Sequence, residues 1–185
     1  MSQPLPKQEN ESSRDRVAVP SPARRFLLVF LGIVAVYYLL TMVPWVDGSL
    51  VYPVLELTAQ ASAAAIRLTG ETVTAQGVVV EGKSFAIAIR RGCDPLDPMA
   101  LFTAAVVAFT GPWQRKIVGI VAGSATLFAL NLLRIVSLYW LGNGHSALFE
   151  TVHQEIWPAF FILCALGLWC LWLLWISRET RVRHD

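Results

Sequence analysis

Charge is the scarcest ingredient of this sequence. Of its 185 residues only 15% are Asp, Glu, Lys or Arg, while 55% are hydrophobic and the mean hydropathy is +0.54. A soluble domain carries about 25% charged residues, so a water-soluble globule gives way to a membrane protein as the working class. Cysteine is scarce as well. The three present, Cys93, Cys164 and Cys170, form no C-x-x-C pair, which removes the main support for zinc ribbons and thioredoxin-type redox chemistry. Cys164 and Cys170 stand six apart, about 240° around a helix, so they face different ways and read as packing residues. No basic stripe interleaved with aromatics occurs and the net charge is only +2, so nucleic acid is set aside as a partner. No G-x-S-x-G stretch is present either, which argues against a serine nucleophile.

What is present is a set of apolar runs. Residues 1–25, with Pro4, Pro6, Pro20, Pro22 and five basic residues, predict a flexible leader. The run after it has no small-residue cleavage site, so it is expected to be a retained span rather than a signal peptide. Four spans are expected, at about 26–43, 97–113, 117–142 and 157–176, with a basic tail at 177–185. The second is short for a ~30 Å hydrocarbon core. Between the first two, residues 50–69 mix apolar positions with Glu56, Gln60 and Arg67, the pattern of an amphipathic helix. Residues 71–91 are rich in Val, Ile and Thr with Gly77 and "EGK" as turn signals, which predicts two or three short strands in a hairpin. The fold class is thus a mainly α membrane protein with about four transmembrane helices, an extracytoplasmic amphipathic helix and a β-hairpin.

Orientation follows from basic residues in the loops. Ten of the 15 Lys and Arg fall in the leader, the "QRK" loop at 114–116 and the tail, which predicts both termini in the cytoplasm. Cys93, in "IRRGCDPLDP", then lies on the outer side at the mouth of the second span. Arg134 lies about 25 Å up a helix starting near Ile117, close to the outer interface, with Asn131 on the same face. His145 and His153 fall in the second outer loop. His153 has Phe149 and Trp157 four residues to either side, a helical spacing that makes it the preferred functional histidine.

Each has a bland reading: a buried small residue for Cys93, a snorkelling cation for Arg134, solvated loop residues for the histidines. An unpaired thiol in an oxidising compartment is nevertheless a liability unless used, and an ionisable group inside an apolar helix usually carries function. Arg90 and Arg91 are expected to favour the Cys93 thiolate. A thiol, an imidazole and a guanidinium suffice for acyl transfer from a peptide bond.

The order of Cys93, "NLLRIVSLYWLG" with Arg134, then His153 before a last apolar run resembles the exosortase/archaeosortase family of membrane-embedded transpeptidases, most closely exosortase H, over about residues 26–176. The resemblance implies a cysteine protease or transpeptidase in the bacterial inner membrane with its active site facing the periplasm. Its partners would be membrane lipid and exported proteins bearing a C-terminal sorting signal, made of a short motif, a transmembrane helix and a basic cluster. It implies Cys93 as nucleophile, His153 as acid/base and Arg134 as the oxyanion or substrate-positioning group, with no cofactor or metal. The family commonly shows Cys-Ser-Gly or Cys-Asn-Gly where this chain has Cys93-Asp94-Pro95. The rival reading is a non-catalytic membrane subunit of an export or surface-assembly complex.

Overall fold

The computed structural model describes residues 21–144 and 146–182; most of the expected leader, His145 and the last three residues lie outside the described residues. Helix α1 (Pro22–Thr41) starts before the apolar run does. Pro22 has the right φ for a first helical residue, and the Ser21 hydroxyl accepts from the Arg24 N–H at 3.3 Å, satisfying one donor of the first turn. The helix stops short of Pro44, because a residue preceding proline is pushed out of the helical region. Val43 is accordingly extended, at φ −79° and ψ 120°.

A short helical turn, α2 (Pro44–Val46), passes through a π-helical turn (Asp47–Val51) into α3 (Tyr52–Leu68). The buried residues of α3, Leu55, Thr58, Ala59, Ser62, Ala63 and Ile66, recur every three or four positions. This is the stripe expected of an amphipathic helix. Its two buried hydroxyls are satisfied locally, Thr58 donating to the Val54 carbonyl and Ser62 to the Thr58 carbonyl, both at 2.7 Å.

Three strands follow, β1 (Thr74–Gln76), β2 (Val79–Glu81) and β3 (Ala86–Ala88), antiparallel in the order β1-β2-β3. Gly77, at φ +56°, makes the first turn, a conformation that side chains with a Cβ resist. The sheet lies on α3, with Val80 and Ile66 fully buried at the junction.

Helix α4 (Leu96–Ala108) has 13 residues and is about 20 Å long. It is shorter than the expected span 97–113, since Phe109 turns extended (φ −71°, ψ 144°) into Thr110-Gly111-Pro112. Helix α5 (Trp113–Gly144) has 32 residues and overruns the expected 117–142 at both ends. The segment expected as an outer loop is largely helical. Helix α6 (Ser146–Thr151), a second π-helical turn (Val152–Ile156) and α7 (Trp157–Val182) run on without a break.

Three stretches, Pro22–Thr41, Trp113–Gly144 and Ala147–Arg178, are long and apolar enough to cross a membrane. The protein is therefore a multi-pass membrane protein, with the short α4 packed against α1, α5 and α7. Two glycines of α5 permit this packing: a Cβ at Gly123 would collide with the Phe102 ring of α4, and one at Gly119 with the Trp172 indole of α7. At one end of the bundle Lys116 Nζ donates to the Val107 carbonyl at 2.8 Å and Trp172 Nε1 to the Arg115 carbonyl at 3.1 Å. At the other, Tyr37 Oη donates to Asp97 Oδ1 at 2.8 Å and Arg91 Nη1 to the Thr41 carbonyl at 3.2 Å. The end of α1, the start of α4, the end of α5 and the start of α7 thus share one end, beneath the sheet.

Candidate functional site

Cys93 occupies the junction between β3 and α4. The chain turns back there, closed by the Cys93 N–H donating to the Arg90 carbonyl at 2.9 Å. Gly92 takes φ +87°, so the glycine that the turn requires precedes the cysteine in this chain instead of following it. Asp94 is buried, and its carboxylate accepts from Gly92 N–H at 3.0 Å and from Leu96 N–H at 2.9 Å. One carboxylate thus clamps the residue before the thiol and caps the helix after it. Burial pushes the Asp94 carboxyl up, and those backbone donors pull it back. Pro95 then leads into α4 with φ −82°, where a missing N–H costs nothing. The Asp94-Pro95 pair that departs from the family pattern is therefore a helix-starting clamp.

The thiol meets an imidazole 60 residues away: Cys93 Sγ lies 3.0 Å from His153 Nε2. His153 sits in the π-helical turn ahead of α7, a distortion that recurs at functional positions. The Phe149 ring centroid lies 5.6 Å from that of His153, and Phe85 packs on Phe149 at 5.8 Å. The turn between β2 and β3 thereby braces the imidazole.

Arg134, on α5, is buried at 6% exposure. Its Nη1 donates to the Gly92 carbonyl at 3.1 Å, and its guanidinium lies 5.9 Å from the Phe161 ring centroid. Its Nε is buried with no hydrogen-bond partner. Beside it opens a cleft of about 210 Å³, walled by Gly92, Asp94, Asp97, Arg134, Pro158 and Phe161 among others. Cys93, Arg134 and His153 thus converge at one end of the bundle, from a loop and two helices.

Two expectations are corrected. Arg91 does not face the thiol; its Nε pairs with Asp47 at 3.3 Å. The cation that acts on Cys93 is Arg134. Nor is the thiolate favoured at rest: burial pushes the Cys93 thiol up, and Arg134 only partly offsets this. Asn131 is fully buried with neither amide atom hydrogen-bonded, so it joins no network with Arg134.

Sequence reasoning missed Ser137. Its hydroxyl donates to the Arg134 carbonyl at 2.8 Å and accepts from Trp157 Nε1 at 3.1 Å, which pins the start of α7 to the turn carrying Arg134. The spacing of three from Arg134 was the available signal. Among the described residues, no group of three or more His, Cys, Asp or Glu could hold a metal ion.

Fold and site together define a class: a polytopic membrane protein with a thiol–imidazole pair and a buried guanidinium gathered at one end of its helices. The chain belongs to the transmembrane exosortases: the model of that family (Exosortase_EpsH) matches residues 23–170. The match bears out the family read from Cys93, the "NLLR" stretch and His153. No curated protein and no solved structure matches the chain.

Proposed function

We propose that the protein is a membrane-embedded cysteine protease or transpeptidase that cleaves C-terminal sorting signals of exported proteins. The observation that carries this is the 3.0 Å approach of Cys93 Sγ to His153 Nε2, within the reach a nucleophile needs of its base. Burial pushes the Cys93 thiol up, which favours His153 as a general base over half of a standing ion pair. It takes the Cys93 proton as sulfur attacks the scissile carbonyl carbon. The C–O π pair moves onto oxygen, giving a tetrahedral oxyanion. Arg134, cationic beside the loop, is the group to stabilise that charge or to position the substrate carbonyl. The C–N bond then breaks, His153 returns its proton to the leaving amine, and a thioester remains on Cys93. Water or an acceptor nucleophile resolves it, releasing the thiol.

The charge distribution supports both termini in the cytoplasm and the Cys93 end on the opposite side; the family likeness implies that this is the periplasmic face of a bacterial inner membrane. Domain limits follow the same reading: a cytoplasmic leader at 1–25, the embedded domain at 26–176 and the tail at 177–185. The test is co-expression with an exported protein that ends in a short motif, an apolar helix and an arginine cluster. Cys93→Ala abolishes its processing. Full processing by that variant would instead make the chain a non-catalytic subunit of an export complex.

A further inference from the structure

The sheet ends in an unguarded edge that leads to the thiol. β3 is paired on one side only, with β2. Ile89 N–H donates to the Val78 carbonyl at 2.8 Å and Gly82 N–H to the Phe85 carbonyl at 2.9 Å. Positions 85, 87 and 89 therefore turn their backbone groups toward β2. The period of two then turns the N–H and C=O of Ala86 and Ala88 away from the sheet. Both alanines are exposed, while Ile87 between them packs into the core beneath the sheet.

Natural edges are usually blunted by an inward charge, a proline or a bulge. The strand Ala86-Ile87-Ala88 has no charged residue and no proline, and its register with β2 runs unbroken. Small side chains leave room beside it. Ala88 precedes Cys93 by five positions, and between them the chain turns back, closed by the Cys93 N–H donating to the Arg90 carbonyl.

We infer that the free edge of β3 binds the extended segment of the exported protein that carries the scissile bond, as a strand added to the sheet. Recognition is then largely main-chain, through the outward N–H and C=O of Ala86 and Ala88. An added strand is led onto Cys93 as it leaves the edge. The aromatic contacts from Phe85 through Phe149 to His153 make the same hairpin a brace for the imidazole. This deepens the proposed function and rests on it.

The experiment is Ala88→Pro in the full-length protein in membranes. Proline removes one outward N–H that the sheet does not use, a substitution an edge strand tolerates. Processing of the co-expressed exported protein falls at least tenfold, while a small alkylating reagent labels Cys93 at the parental rate. Parental processing by the variant overturns the inference. Should Ala88→Pro disturb the fold, a benzophenone amino acid placed at Ala88 or, as control, at Thr74 on the opposite edge decides it. In a Cys93→Ala background the probe at Ala88 cross-links to the exported protein and that at Thr74 does not. A cross-link from Thr74 alone, or from neither, overturns it. Processing that survives Cys93→Ala instead sinks the catalytic reading, and leaves the cross-linking result standing as a binding result.

Discussion

Removing the Asp94 carboxylate should disable the site without touching the thiol, the imidazole or the guanidinium. The side chain is 5% exposed and accepts from the N–H groups of Gly92 and Leu96. Hydrogen bonds to a charged acceptor contribute about 1.5–3 kcal/mol each. The burial that pushes this carboxyl up argues for the lower end, so Asp94→Ala loses about 3 kcal/mol for the two bonds. At about 1.4 kcal/mol per factor of ten, the ratio of molecules with the loop closed on His153 to those with it open falls on the order of 100-fold. Asn offers one oxygen and so keeps one of the two bonds; Asp94→Asn loses about tenfold by the same arithmetic. The assay is the rate of substrate processing in membranes, normalised to folded protein by detergent thermal unfolding. Parental processing by Asp94→Ala, or an Asn variant as impaired as the Ala variant, would refute the clamp.

Arg134 lowers the proton affinity of Cys93 against the larger effect of burial. Arg134→Met should therefore move the pH profile of Cys93 alkylation further to the alkaline side, slowing labelling at pH 7–8; an unmoved or acid-shifted profile contradicts the assignment. In the parent, labelling should keep rising above the ordinary thiol pKa of about 8.5, and a plateau below that pH would show the thiol to be depressed instead. Gly123→Leu drives a side chain into the Phe102 ring and should destabilise the bundle by roughly 1–3 kcal/mol, as overpacking does. Thermal unfolding in detergent reads this, and an unchanged midpoint would show that α4 and α5 do not meet as described.

The helical frame was legible because apolar runs and their proline stops act locally: Pro44 and Pro112 mark the breaks, and the stripe from Leu55 to Ile66 is visible as spacing. The lengths were less legible. Phe109 leaves the helix before the apolar run ends, and nothing in the run's composition says so. Helical spacing around His153 was legible from Phe149 and Trp157, but the π-helical distortion that holds it has no sequence pattern. Cys93, Arg134 and His153 could be placed at one end by charge counting. Their partners could not, because each is chosen by tertiary approach: Arg91 finds Asp47, Asp94 finds two backbone amides, and Trp157 finds Ser137. Asp94-Pro95 made sense only with the φ of Gly92 in hand.

The central claim is that Cys93 attacks and His153 moves the proton. Incubating the detergent-solubilised protein with a peptide spanning the sorting motif, then acid-quenching for mass spectrometry, tests it directly. The account predicts a peptide thioester on Cys93. His153→Ala should form it about 10²–10⁴-fold more slowly, the range typical of a lost general base. An adduct on Cys164 or Cys170, or cleavage at the parental rate without His153, would contradict it.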